Sequence, residues 1–316
     1  MPARGQQSNT TRAGGQAGLA GGRRNGWGTR WGFAAAVGRA TNRDVELAFR
    51  SIFAPELFSG QVAVVTGGGT GIGLAVTREL CHLGARVAIG SRKKDHLDQG
   101  AALLREEGRD VLTIPCDIRD PEAVSRMTDE VLQRWGKIDV LVNNAGGQFP
   151  SPAKALTTKG WEAVIHNNLN GTFFVTLEVA RKAMLPARRG RIVNVTATVA
   201  RGFPGMAHTG AARAGVENLT RSLAIEWASE GVRVNAVAPG NNIRSSGTAQ
   251  YGEALLQMTR TATPLKRLGT PEEVARVIVF LASDANDFIT GSVVSVDGGQ
   301  ALWGDIWPIP EPTESE

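Results

Sequence analysis

From Gln61 onward, short apolar runs, most of them β-branched, alternate with segments whose apolar residues recur every three or four positions. A short apolar run bounded by glycine or polar residues reads as a strand, and recurrence at i, i+3, i+4 and i+7 reads as a helix. On that basis "QVAVVTG", "ARVAIGS", "DVLTIPC", "IDVLVNNAG", "GRIVNVTA", "VRVNAVAPG" and "SVVSVDGG" are strands. The helices are "GIGLAVTRELCHLG", "DHLDQGAALLREEG", "PEAVSRMTDEVLQRWG", two long stretches over 158–168 and 171–185, "MAHTGAARAGVENLTRSLAIEWA" and "TPEEVARVIVFLAS". The segment between "VRVNAVAPG" and "TPEEV" is expected to be irregular. Apolar strands alternating with helices predict a parallel sheet covered on both faces. Right-handed crossovers then give an α/β, doubly wound Rossmann fold in a single domain.

That pattern is confined to residues 56–304. Residues 1–43 hold seven arginines and no acid, and they lack any hydrophobic period. Residues 1–55 are therefore expected to form a disordered Arg/Gly/Ala-rich extension, with an organelle transit peptide as the alternative. The tail, 305–316, is acidic and Pro-rich and does not end in an S-K-L type peroxisomal tripeptide.

Charge changes the picture only locally. The formal net charge is +5, yet after residue 43 there remain twenty-eight bases against thirty acids. No nucleic-acid partner is expected of such a body. No run of about 18 apolar residues occurs, so no membrane partner is expected either. Cys81 and Cys116, without a secretory signal, read as reduced thiols, which points to the cytoplasm, or to an organelle matrix if the head is a transit peptide. No His/Cys spacing suggests a metal site.

The candidate chemistry begins at "VVTGGGTGIG", which places Gly67, Gly69, Thr70, Gly71, Ile72 and Gly73 between the first strand and its helix. Glycines there let the backbone approach a pyrophosphate, and the helix N-terminus offers free N–H groups and a partial positive charge. The second strand ends in Ser91, Arg92 and Lys93, with no acid before Asp95. A carboxylate at that point would favour a ribose 2′-hydroxyl, whereas Arg92 can pair with a 2′-phosphate. The expected cofactor is therefore NADP(H).

The order of "TGGGTGIG", "CDI", "NNAG", "NNLNGT" and "VNAVAPG" across residues 57–303 resembles the short-chain dehydrogenase/reductase family. The resemblance implies further cofactor contacts from Asp117 and Ile118, from Asn144, Ala145 and Gly146 at the nicotinamide ribose, and from Pro239, Gly240 and Asn242. It also implies that Asn168 is the catalytic asparagine that kinks its helix. "NNAGGQFPSPA", "HTGAARAGVENLTRSLAIEWA" and "RLGTPEEV" are most similar to the peroxisomal trans-2-enoyl-CoA reductase branch and its bacterial relatives, which reduce the 2,3-double bond of enoyl thioesters with NADPH. The related 2,4-dienoyl-CoA reductases keep a lysine and a loop tyrosine where this chain has Arg213 and "TATVA", a poorer match. The family's helices after the fourth and fifth strands, and its C-terminal edge, imply a homotetramer or homodimer.

In ordinary members a tyrosine gives a proton to a carbonyl oxygen, and a lysine one turn on lowers its pKa. This chain has Thr209 and Arg213 at those positions. An aliphatic hydroxyl is too weak an acid for that step, but Arg213 can hold ribose hydroxyls and supply positive charge. Adding hydride to the β-carbon of an enoyl thioester builds charge on the thioester oxygen, which calls for oriented donors rather than a strong acid. Thr209, Thr198 and Asn168 are the candidate donors, with Arg213 adding its field. His208 and Tyr251, the single tyrosine of the chain, are candidate proton donors. The expected partner is thus a small-molecule substrate, an acyl thioester. The alternatives are an alcohol or carbonyl oxidoreductase, for example on a terpenoid, using Tyr251 or His208 as its acid, and a catalytically silent NADP-binding protein.

Overall fold

The computed structural model describes residues 51–244 and 252–302, all within one compact unit, Arg50–Glu316. The elements run β1 (Val62–Thr66), α1 (Gly71–His82), β2 (Arg86–Ser91), α2 (Lys94–Glu106), β3 (Leu112–Pro115), α3 (Pro121–Trp135) and β4 (Val140–Asn143). Then come α4 (Thr158–Ile165), α5 (Gly171–Val179), α6 (Leu185–Ala187), β5 (Gly190–Val195), α7 (Ala207–Glu226), β6 (Val232–Pro239), α8 (Glu253–Ala262), α9 (Pro271–Ala282) and β7 (Val293–Val296). All seven strands are parallel, in the order β3-β2-β1-β4-β5-β6-β7. Every residue of β1, β4 and β5 is buried, as strands covered on both faces require. The doubly wound sheet expected from the sequence is present.

The core lies in two layers. On one side α1 and α9 pack Val76, Leu80, Val274 and Ile278 against Ala63, Val65, Val142 and Val193. On the other, α3, α5 and α7 pack Met127, Val175, Val179 and Leu223 against Val64, Leu141 and Ile192. Local chemistry sets the helix ends. Asp120 accepts from the Glu122 N–H before Pro121, and Gly136 closes α3 at φ 75°. Thr270 and Glu273 cap α9 reciprocally.

Two features depart from the sequence reading. The stretches 158–168 and 171–185 form one continuous rod, in which π-helical turns at His166–Asn170 and Ala180–Met184 join α4, α5 and α6. The segment expected to be irregular contains α8, which starts after the extended Gly252 and stops where Thr263 turns extended before Pro264. Tyr251 lies outside the described residues. Among the described residues no helix is long and apolar enough to cross a membrane, and no group of three or more His, Cys, Asp or Glu could hold a metal ion. Cys81 and Cys116 are free and buried, and burial pushes their thiols up to about 12 and about 11.

Candidate active site

The chain winds outward from β1 through β2 to β3, then returns to place β4 on the other side of β1. In such sheets a crevice opens at the carboxyl ends of the strands where the order reverses. Here that crevice is a cleft of about 680 Å³. Gly67, Thr70, Gly71 and Ile72 form its floor, and Gly67 and Gly71 adopt φ of 66° and 54°, a conformation that glycine takes without steric cost. Thr70 is extended and makes no side-chain cap, so nothing on its own side chain satisfies the first N–H groups of α1. A β-carbon on Gly73 would strike the Gly67 carbonyl, so this glycine packs the helix onto the loop instead of facing the cleft. Gly69 likewise packs against the backbone of His96 in α2. The opposite wall carries Ser91, Arg92, Lys93 and His96.

Beyond β3, Ile118 lines the cleft beside Cys116. Asp117 does not line it, because Arg119 grips its carboxylate at 2.9 and 2.6 Å and holds it below the usual carboxylate range. After β4, the Thr66 hydroxyl accepts from the N–H groups of both Asn144 and Ala145 at 3.0 Å. The Asn144 side chain donates to the carbonyls of Thr66 and Gly67 at 3.0 and 3.2 Å. The turn after β4 is thereby pinned over β1. Pro239 and Gly240 complete the far wall, while Asn242 is buried and donates to Thr263 and to the Asp297 carbonyl at 2.9 and 2.6 Å. A dinucleotide suits this cleft: unclaimed helix N–H groups stand at one point, cations at another and a glycine floor between them.

At the inner end stands Arg213. It is 8% exposed, lines the cleft and donates to the Val195 carbonyl at 2.8 Å. No carboxylate pairs with it among the described residues, and burial alone pushes it down to about 10, so it stays charged near neutrality. A β-carbon on Gly146 would strike the Arg213 guanidinium and come within 2.7 Å of Asn168 Oδ1, so the glycine leaves both side chains their places. Asn168 sits fully buried in the first π-helical turn. Its amide donates to the carbonyls of Gly147 and Val164 at 2.7 and 2.9 Å, and the Gly147 N–H returns a bond at 3.2 Å. Asn168 thus fixes the loop under the cleft without lining it.

The other candidates are placed elsewhere. Thr209 is fully buried, its hydroxyl 3.2 Å from His208 Nδ1, which also accepts the Thr209 N–H at 2.8 Å. His208 is fully buried too and meets Phe149 edge-on at 4.8 Å. Neither lines the cleft. Thr198 lines an adjoining pocket of about 290 Å³, with Arg201, Met206 and Gln300, and this pocket shares Phe203 and Asn241 with the cleft. Sequence reading missed His96, Gln148, Asn167 and Phe203. Each is one to five residues from a predicted contact, and no residue-type signal distinguishes it.

The arrangement can hold a dinucleotide against one buried, unpaired cation, and comparison with known proteins agrees. Residues 67–301 match the family described as enoyl-(acyl carrier protein) reductase. The chain belongs to the short-chain dehydrogenase/reductase family. Its members are oxidoreductases that bind a nicotinamide cofactor. It is 40% identical over 246 residues to a "probable 2,4-dienoyl-CoA reductase [(2E)-enoyl-CoA-producing]" of Bacillus subtilis (strain 168), covering 77% of this chain and 97% of that one. It is 38% identical over 260 residues to the peroxisomal 2,4-dienoyl-CoA reductase [(3E)-enoyl-CoA-producing] of Danio rerio, covering 80% and 86%. A solved structure of a citronellol catabolism dehydrogenase from Pseudomonas aeruginosa PAO1 superposes with a TM-score of 0.73 at 45% identity, over 80% of this chain and 100% of that one. The resemblance to enoyl-thioester reductases holds, and both curated relatives carry the dienoyl name, which the motifs had ranked second.

Proposed function

We propose that this short-chain dehydrogenase/reductase uses NADPH to reduce the 2,3-double bond of an enoyl thioester. The observation that carries the reading is Arg213, a buried guanidinium without a carboxylate partner, at the end of the cleft where the family's ordinary members keep a tyrosine–lysine pair. An unpaired buried charge is costly and is best explained by an anion or developing anion that it meets in use. The first N–H groups of α1 would hold the diphosphate, and Arg92 and Lys93 would select the phosphate ester on the adenosine ribose. When bound, the nicotinamide supplies hydride to the β-carbon. Arg213 would then face the charge growing on the thioester oxygen, Asn168 would hold the Gly146–Gly147 backbone in register with it, and water would give the α-carbon the proton that completes the reduction. The pocket between Thr198 and Gln300 gives the acyl arm a place to lie. The names of the Bacillus and Danio relatives support a CoA thioester as substrate.

A second reading has its own support. The Pseudomonas structure is named for citronellol catabolism, which favours a terpenoid alcohol or carbonyl substrate. That reaction needs a proton donor at oxygen, and neither Thr209 nor His208 faces the cleft to provide one. NADPH consumption by the purified protein, measured with trans-2-enoyl-CoA and 2,4-dienoyl-CoA esters beside citronellal and matching ketones, separates the two. Turnover confined to the thioesters is expected. Turnover confined to carbonyls would overturn the proposal and redirect the search for an acid to Tyr251.

A further inference from the structure

The wall that faces the glycine loop holds one more group than the cofactor reading uses. Arg92, Lys93 and His96 all line the cleft, and among the described residues no carboxylate makes a hydrogen bond or ion pair with any of the three side chains. Lys94, which does not line the cleft, is instead neutralised by Asp98 at 2.6 Å. The base that points elsewhere is paired, and the groups that line the cleft are left open. His96 is also the best positioned of them. Its carbonyl lies where a Gly69 β-carbon would be, and a β-carbon on Gly100 would come within 2.8 Å of Gly69 Cα, so the first turn of α2 and the glycine loop are locked together without side chains between them. His96 thus lines the cleft between the glycine loop, which its backbone touches, and Arg92 and Lys93. Lys93, at the N-cap of α2, makes no side-chain cap; its carbonyl accepts from the N–H groups of His96 and Leu97 at 3.2 and 3.3 Å, which leaves those of Lys94 and Asp95 without a cap.

Resting on the reading of this wall as selective for NADPH, we propose that His96 is a third specificity-determining contact, beside Arg92 and Lys93, for the phosphate ester on the adenosine ribose. An imidazole can present an N–H to a phosphate oxygen in either protonation state, and unlike the two long side chains it is half-buried and tied to a fixed backbone. Arg92 and Lys93 supply charge from flexible stems, and His96 supplies direction.

The test is equilibrium binding of NADPH and of NADH to the full-length protein, followed by fluorescence or calorimetry, for the wild type, His96→Leu and His96→Arg. His96→Leu, which keeps the bulk and removes the donor, is expected to weaken NADPH about tenfold, the scale of one charge-assisted hydrogen bond, and to leave NADH within about twofold. His96→Arg is expected to keep NADPH binding. Equal weakening of both cofactors by His96→Leu, which a merely structural role would produce, overturns the assignment, as does an unchanged ratio of the two affinities. Failure of the underlying reading looks different, because a wild type that binds NADH as tightly as NADPH would remove the phosphate site altogether.

Discussion

At the scale of single residues, the proposed chemistry turns on Arg213. Its helix, α7, is held by a buried polar chain: Asn143 donates to Thr176 and Asn194 at 2.7 and 2.9 Å, and Asn194 donates to Thr220 at 2.9 Å. That chain ties β4, α5, β5 and α7 together below the cleft, and the guanidinium itself is held by the Val195 carbonyl at 2.8 Å. Such a group stabilises a charged ligand at the expense of the empty fold. Arg213→Met is therefore expected to have two opposite effects. Turnover of the preferred thioester should fall about 10²–10³-fold, the range for losing one preorganised electrostatic donor. The melting temperature of the ligand-free protein should rise by roughly 2–4 °C, since removing an unpaired buried charge recovers about 1 kcal/mol. Paired kinetics and thermal melts check this, and a loss of stability alongside turnover would mean that Arg213 is structural cement. Thr209 carries the opposite lesson. Its place in the sequence suggests a donor in the reaction, yet its side chain packs against His208 inside α7, and no pattern of residue types could have disclosed that orientation.

At the scale of elements, the strands were legible because their β-branched runs are apolar on both faces, a condition only a parallel sheet between two helical layers satisfies. β1 and β5 illustrate it, each buried from end to end. The helix N-termini were legible from Asp120-Pro121 and Thr270-Pro271. The π-helical turn around Asn168 was legible only through family resemblance, because an extra backbone residue leaves no mark in hydrophobic period. α8 escaped because its exposed Met258 breaks the apolar stripe and polar residues surround it. Within the site, the glycine string was read as one binding loop, whereas the structure divides it. Gly67 and Gly71 serve the cleft; Gly69 and Gly73 serve the joints between α1, α2 and the loop. Gly69→Ala tests that division. Its methyl group would collide with the His96 carbonyl, a backbone atom that cannot move without displacing α2. The expected result is a fall in melting temperature of several degrees, with NADPH affinity lowered at least tenfold as the wall and floor separate. Unchanged stability measured by thermal melts would mean that the two elements are not locked.

At the scale of the molecule, β3 and β7 are the two outermost strands of the sheet formed by the described residues. The β7 side is the more apolar: Phe280 on α9 is part-exposed, and Phe288, on the turn that leads to β7, is wholly exposed. Among the described residues no strand pairs with the outer side of β7, and an unpaired edge near exposed aromatic side chains is a surface that isolated proteins avoid, so a second copy is the better explanation of what covers it. Further exposed apolar side chains, Phe173 on α5 and Ile225 on α7, lie on helices of the opposite layer. Two distinct faces of this kind are what a tetramer of two-fold symmetry needs, whereas a dimer needs only one. We propose a homotetramer in which the β7 edge forms one of the two interfaces. Size-exclusion chromatography with light scattering should give four times the mass of the 316-residue chain. Phe280→Asp/Phe288→Asp should halve it. The cleft and its adjoining pocket lie at the carboxyl ends of the strands, whereas Phe288 precedes the amino end of β7, so NADPH affinity of the variant should stay within about twofold, as expected for independent sites. A wild type that elutes as a monomer at micromolar concentration would refute the assembly. A variant that keeps the wild-type mass would refute only the placement of this interface, because the Phe173–Ile225 face could then be the one that holds the copies together.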